Sequence, residues 1–314
     1  MRKRAPSINR TTSNFKNIFI VHRFCSKGNH VDKSHPYRRW RHARNPVCST
    51  VRVKRKIVTI YTHGAEAIDR TKTRLARFTE VYKAQTDYAA PAISKTLENI
   101  ECVDNIETAV SGVDLVFECL PEDKELKQRF FTKISKDLNP ATIVATNSST
   151  FLPSYFTDCF SDSSIFVAVH LANEIWARNV AEIMPHADTS DAVLAKMETF
   201  AKEVDLKPVR LNREHPGYLL NSVLVPFIRS GLSLAANGVA KPESVDTVWE
   251  TVMGSEGPFH TIDIIGLRTV YSVLSAEAKH DLPGSKELAD FIFKNYLEKG
   301  RLGVENGKGF YDYS

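Results

Sequence analysis

Between residues 56 and 170 the chain returns repeatedly to short, β-branched apolar runs, several of which end on a polar residue. They are KIVTIY (56–61), IECV (100–103), VDLVFECL (113–120), TIVATN (142–147) and IFVAVH (165–170), each bounded by Asp, Asn, Pro or Gly. Amphipathic stretches lie between them. Residues 65–85 carry Ala67, Ile68, Thr71, Leu75, Phe78 and Tyr82 at helical spacing, and residues 122–138 place Leu126, Phe130, Phe131 and Ile134 on one face. Strands alternating with helices predict βαβ units and a parallel sheet clothed by helices. In open sheets of this kind ligands sit outside the carboxyl ends of the strands. The polar residues that close the runs are therefore the first candidates for chemistry.

After about Arg213 the strand pattern stops and helical stripes with Gly and Pro punctuation take over. Residues 215–238 align Leu220, Val223, Leu224, Phe227, Ile228 and Leu232, with Asn237 and Gly238 as a stop; 243–253 and 286–300 are two further helices. The seam between an α/β half and a helical half is expected near 205–215. With 314 residues, 42% of them hydrophobic, the chain is long enough for two cores.

No apolar run approaches the roughly 20 residues of a membrane span, and no secretory h-region is visible. Cys25, Cys48, Cys102, Cys119 and Cys159 contain no CxxC pair, which argues against a zinc site and for free thiols in a reducing compartment. The net charge of +5 hides a split: residues 1–56 hold 16 Lys+Arg and one Asp, leaving 26 basic and 36 acidic of the chain's 42 and 37. So abrupt a change marks a boundary at about Lys56.

Two consecutive strand ends are polar: TIVATN runs into Ser148, Ser149 and Thr150, and IFVAV runs into His170. Twelve residues on, Glu182 lies in NVAEIM (179–184), a run that could return antiparallel and set its carboxylate against the imidazole. A His oriented by a carboxylate is what a general base requires, since the partner fixes the tautomer and raises basicity. On the residues alone, a core histidine with a satisfied ring is the commoner outcome. Ser149 is equally readable as a turn or cap serine, and Asn221 as a backbone-bonding residue in an apolar helix.

HLANEIW (170–176), AEIM (181–184), ATNSST (145–150), HPGYLLNSVLVP (215–226), EGPFHTIDIIGL (256–267) and GKGFYDY (307–313) together resemble the 3-hydroxyacyl-CoA dehydrogenase family, in particular its 3-hydroxybutyryl-CoA type. The resemblance runs from about Val58 to the C-terminus, in order and spacing. It implies NAD-linked interconversion of (S)-3-hydroxyacyl-CoA and 3-ketoacyl-CoA, within fatty-acid metabolism. His170 then matches the catalytic base, Glu182 the residue that orients it, and Ser149 and Asn221 groups bonding the substrate oxygen. Asn173 matches an asparagine near the cofactor. PEDKELK (121–127) resembles a cofactor-contacting segment, placing Glu122 and Lys127 there; read bottom-up, they are a helix-start glutamate and a solvated lysine. Donors placed in advance around the C3 oxygen would stabilise its alkoxide character as hydride leaves.

The sequence also departs from the pattern. A GxGxxG turn should follow the first strand so that a pyrophosphate can approach a helix N-terminus, yet only Gly28 and Gly64 precede Gly112. Thr62 stands where an acidic residue would bind the adenosine ribose. In the helix of residues 65–85 the family's CoA-contacting Ser and Lys are not matched in register, and GSEGPF (254–259) is one residue short. NFKNIFIV (14–21) still resembles the first strand, and VTIYT (58–62) resumes the pattern. Three readings of the basic head stay open: the product of a shifted reading frame, a mitochondrial presequence, or a nucleic-acid-binding arm centred on Arg38, Arg39, Trp40 and Arg41.

The expected architecture is thus α/β: an atypical basic segment (1–56), a Rossmann-like NAD-binding domain with an incomplete or remodelled first βαβ unit (57–212), and an all-helical dehydrogenase and dimerisation domain (213–314). An acyl-CoA substrate, NAD as cofactor and a homodimer are expected, with no metal and no membrane or nucleic-acid partner. The cytoplasm is the expected compartment, the mitochondrial matrix the alternative. A remnant that has lost dinucleotide binding is the competing reading.

Overall fold

The structure is a computed structural model that describes residues 17–21, 57–62, 64–85, 93, 100–171, 175 and 178–313. Most of the basic head, with its Arg38–Arg41 cluster, and Asn173 lie outside the described residues. The described chain forms two compact units, one through Leu219 and one from Leu220 onward.

The first unit is built on eight strands: β1 (Asn17–Val21), β2 (Ile57–Tyr61), β3 (Glu101–Val103), β4 (Leu115–Glu118), β5 (Ile143–Thr146), β6 (Phe166–Leu171), β7 (Val180–Met184) and β8 (Lys207–Arg210). Their order in the sheet is β3-β2-β1-β4-β5-β6-β7-β8. From β3 to β6 every pairing is parallel; β7 runs antiparallel to β6, and β8 parallel to β7. The expectation that NFKNIFIV supplies the first strand is met, because β1 pairs with β2 on one side and β4 on the other.

Both faces of the sheet are covered, which is why β4, β5 and β6 are apolar almost without interruption. Alternate residues divide between two cores. Leu115, Phe117, Ile143, Ala145, Val167 and Val169 pack with Leu75 of α1 (Ala65–Gln85) and with Val193, Met197 and Phe200 of α4 (Asp191–Glu203). Val116, Val144 and Phe166 pack with Ile106 and Val110 of α2 (Ile106–Val110) and with Phe130, Phe131 and Ile134 of α3 (Lys124–Ile134). Phe131 sits among Phe130, Phe156, Phe160 and Phe166.

Three elements of this unit, α2, α4 and β8, are not anticipated by the sequence pattern. The last, KPVR, carries two charges and a proline, a composition that suits only an edge strand. It lies at the edge of the sheet, beyond β7.

The second unit contains α5 (Leu220–Ala236), α6 (Pro242–Met253), α7 (Pro258–Ile265), α8 (Leu267–Lys279) and α9 (Ser285–Ile292), which runs on into a wider turn over Phe293–Leu297. Ile228, Leu232, Phe259, Ile262, Leu274, Leu288 and Ile292 form its core. Gly231 lets α7 come close: a Cβ there would lie 2.6 Å from the Pro258 ring. The expected stripe on α5 is only partly buried, with Leu220 44% and Val223 74% exposed. The C-terminal GKGFYDY is tied down by Asp263, whose buried carboxylate accepts from Phe310 N (2.8 Å), Tyr311 N (3.0 Å) and the Tyr313 hydroxyl (2.9 Å). No helix among the described residues is long and apolar enough to cross a membrane.

Candidate active site

The antiparallel pairing of β6 with β7 sets His170 directly opposite Glu182 in register. Residues opposite each other across a strand pair project to the same face. His170 Nδ1 lies 2.9 Å from Glu182 Oε2, and both side chains are buried. The other carboxylate oxygen of Glu182 accepts from Leu219 N at 2.8 Å. With a carboxylate fixed on Nδ1, the proton of a neutral ring resides there and Nε2 is left as the acceptor.

His186 provides an internal contrast. It is just as buried, but Nδ1 accepts from Asp188 N (3.2 Å) and Nε2 donates to the Ser163 carbonyl (3.0 Å), so its ring is closed by main chain. Among the described residues, only Nδ1 of His170 carries a partner.

Adjacent to β6, the end of β5 brings in the serine-rich loop. Asn147 Oδ1 accepts from Leu171 N at 3.0 Å, which fixes the loop beside the histidine. Ser149, two residues on, is exposed, as a group meant to meet a ligand must be. Glu122 holds this loop from the β4 side: one carboxylate oxygen accepts from Ser149 N (3.1 Å), Thr150 N (2.9 Å), Thr150 Oγ1 (2.7 Å) and the Ser148 hydroxyl. Burial alone would raise its pKa, but the Lys127 charge and the bonds from Ser148 and Thr150 outweigh that and hold it below the ordinary carboxylate value.

Lys127 is not solvated. It is 1% exposed, and its ammonium donates to both oxygens of the fully buried Glu118 (2.7 and 2.9 Å) and to the Leu120 carbonyl (3.3 Å), with Glu122 at 3.5 Å. Glu118 also accepts from Thr146 Oγ1 at 2.6 Å and from Leu120 N. The sequence holds a signal for this: Lys127 occupies the apolar stripe of α3 with Phe130, Phe131 and Ile134, and Glu118 closes a strand that is otherwise apolar. Opposite charges at two core positions of neighbouring elements point to a buried pair.

A lowered acid in the folded state contributes stability above its unfolded pKa and loses it as pH falls through the folded value. The grip of Glu122 on the loop is therefore complete at neutral pH and fades below its ordinary value of 4.5. Amide exchange at Ser149 and Thr150, corrected for its intrinsic pH dependence, should be slow at pH 6 and accelerate on acidification. Acceleration that is just as large in a Glu122→Gln variant, which has no carboxylate to titrate, would contradict this account.

The strand order of β1 to β6 is 3-2-1-4-5-6, the arrangement in which a dinucleotide lies across the point where strand order reverses, here between β1 and β4. Beside that point, Thr62 ends β2 fully buried with no hydrogen-bond partner for its hydroxyl among the described residues. An uncommitted polar atom there, together with the polar loops after β4 and β5, fits a dinucleotide. Asn221, the remaining candidate, lies half-buried in the first turn of α5 in the second unit.

That unit holds another polar cluster, in which Asp246, Glu250 and His260 bring ligand atoms within 4.8 Å of one another. These atoms are already engaged: Asp246 accepts from Phe259 N (3.0 Å), His260 N (2.9 Å) and the Tyr311 hydroxyl (2.9 Å), and Glu250 from Gly257 N (3.1 Å) and His260 Nδ1 (2.6 Å). The cluster caps α7 and joins it to α6.

A largely parallel sheet in dinucleotide-binding order followed by a helical unit defines the class: an α/β protein of the dinucleotide-binding kind. The chain belongs to the 3-hydroxyacyl-CoA dehydrogenase family, whose NAD-binding domain matches residues 49–214 and whose C-terminal domain matches residues 217–313. It is 28% identical to a probable 3-hydroxybutyryl-CoA dehydrogenase of Bacillus subtilis, covering 82% of this chain and 88% of that protein. It is 26% identical to the mitochondrial hydroxyacyl-coenzyme A dehydrogenase of Rattus norvegicus, with 81% and 80% covered.

Among solved structures, a diketoreductase described as acting on dicarbonyl compounds superposes with a TM-score of 0.86 at 32% identity, over 95% of this chain and 99% of that one. The (S)-3-hydroxybutyryl-CoA dehydrogenase PaaH1 of Ralstonia eutropha shares the fold, with a TM-score of 0.76 at 20% identity over 96% and 100%.

Proposed function

We propose that the protein interconverts (S)-3-hydroxyacyl-CoA and 3-ketoacyl-CoA with NAD(H) in fatty-acid metabolism, using His170 as general base and Glu182 as its partner. The observation that carries this reading is the 2.9 Å contact between His170 Nδ1 and Glu182 across the β6–β7 pair, at the carboxyl end of β6. In oxidation, His170 Nε2 takes the proton of the C3 hydroxyl; in reduction, the imidazolium returns it. Glu182 stays ionised and stabilises the charged ring, while its bond from Leu219 keeps it from rotating away. Ser149 and Asn221 hydrogen-bond the substrate oxygen and stabilise charge as it develops there. When bound, the nicotinamide accepts or supplies the hydride.

By the family resemblance Asn173 is assigned to the cofactor, a role that rests on the motif because the residue lies outside the described ones. Glu122 and Lys127 serve the crevice by fixing the loops after β4 and β5, and Thr62 offers a hydroxyl where an acid would otherwise meet the ribose. The uncovered apolar residues of the second unit, among them Val223, Val248 (66% exposed), Val252 (75%) and Met253 (59%), support a homodimer formed through its helices. We assign the protein to the cytoplasm; the basic head, if a presequence, would direct it to the mitochondrial matrix.

A second reading is favoured by the diketoreductase likeness and by the unmatched CoA-contacting positions of α1: a dicarbonyl substrate without CoA. One series of measurements separates the possibilities. NADH titration by fluorescence should saturate, and acetoacetyl-CoA should be reduced with a higher kcat/KM than a CoA-free dicarbonyl. The reverse preference would select the second reading, and folded protein that binds no NADH would leave a non-catalytic remnant.

A further inference from the structure

We propose that Tyr218 is a positioning residue that fixes the plane of the His170 imidazole and ties it to the serine loop; this rests on His170 being the base. The Tyr218 ring stacks on the imidazole with centroids 4.7 Å apart and planes inclined by 25°. Its hydroxyl donates to the Ser148 carbonyl at 2.8 Å, one residue from Ser149. The next residue, Leu219, holds Glu182 through its main-chain N–H. One dipeptide thus touches the base, the carboxylate that orients it and the loop presenting the serine.

The backbone indicates that this placement is demanded. Gly217 and Tyr218 both adopt left-handed conformations, with φ of 83° and 55°. The first is free to a glycine, whereas a tyrosine there is strained and persists only where its surroundings over-determine it. Tyr218 is 1% exposed, and burial, reinforced by the charges of Glu122, Glu182 and Glu118, pushes its phenol well above the usual range, so it remains a donor. Carboxylate bonding alone leaves an imidazole free to rock about its Nδ1 contact. A stacked ring removes that freedom, and small misplacement of a catalytic group lowers turnover steeply.

Two variants of the full chain separate the ring from the hydroxyl. Tyr218→Phe keeps the stack and loses the Ser148 bond: kcat/KM for acetoacetyl-CoA should fall about three- to tenfold as an unanchored loop presents its donors less well, while the NMR titration of His170 stays as in the parent. Tyr218→Leu also removes the stack: kcat should fall roughly 30- to 100-fold, NADH affinity should be kept, and the His170 titration and the acid limb of kcat/KM should move together. A folded Tyr218→Leu protein with parental kcat and an unmoved titration overturns the proposal. Should Tyr218→Leu not fold, Tyr218→Phe decides, since a parental kcat/KM would refute the tie to the serine loop. The titration is read on free protein, so it reports on the ring even if His170→Gln proves active and the base assignment fails.

Discussion

Replacing His170 by glutamine is expected to lower turnover by roughly 10²- to 10⁴-fold, the range that positioned proton transfer contributes, with the fold and NADH binding unchanged. The amide matches the imidazole in reach and can still donate to Glu182, so the packing of β6 against β7 survives. What is lost is the only group of the pair that can take up and release a proton on the substrate side. At about 1.4 kcal/mol per factor of ten, the loss corresponds to about 3–5 kcal/mol of transition-state stabilisation. KM should change little, because the interaction removed strengthens mainly as the proton moves. Glu182→Gln should be milder, costing about 10²-fold by the same scale, since the base remains but its imidazolium is unsupported. Single-turnover reduction of acetoacetyl-CoA with NADH measures both. A His170→Gln protein within tenfold of the parent would remove the histidine from the chemistry.

Strand parity makes this pair legible in the sequence. An apolar run ending in His170 and a second run centred on Glu182 can hardly bury both polar groups unless the strands turn back on one another, and the register obtained sets them directly opposite. Strands β4 to β6 are legible for a different reason: their side chains enter two cores alternately, so each is a short β-branched run that is apolar throughout. The helices α4 and α8 fall outside the stripes read from the sequence, and α7 lies within EGPFHTIDIIGL, a motif that marks order and spacing without marking a helix. Tyr218 leaves no such trace. Its role depends on a left-handed backbone and on contacts to residues 48 and 70 positions earlier, and neither produces a local pattern. Lys127 looks solvated only while its charge is given more weight than its position. On a helical wheel it falls on the buried stripe, and a lysine at such a place requires a partner in the core.

That partner sets the largest expected effect on stability. Lys127→Met should destabilise the protein by about 3–5 kcal/mol, because removing one member of a buried pair leaves the other as an uncompensated charge. Methionine fills the space left by the lysine stem, so the deficit is electrostatic and not a cavity. Glu118 is fully buried and, among the described residues, keeps Thr146 Oγ1 and Leu120 N as its donors once the ammonium is gone. Two controls distinguish this cause from poor packing. Adding Glu118→Gln to Lys127→Met removes the stranded charge while keeping an acceptor for Thr146 and Leu120, and should restore a good part of the loss. Acid should do the same for the single variant. A carboxyl stranded without its cation has its folded pKa raised, so the penalty is present above that value and shrinks as pH falls toward the range where Glu118 takes up a proton. Urea unfolding at pH 7 and at about pH 5, near the ordinary carboxylate range, measures both effects. A deficit that is independent of pH and untouched by Glu118→Gln would mean that Lys127 contributes through its hydrocarbon stem alone. The serine loop should loosen with the same substitution, since Lys127 also lowers the pKa of Glu122. Faster amide exchange at Ser149 and Thr150 in Lys127→Met would therefore trace the connection from a buried ion pair under the sheet to the residues proposed to meet the substrate.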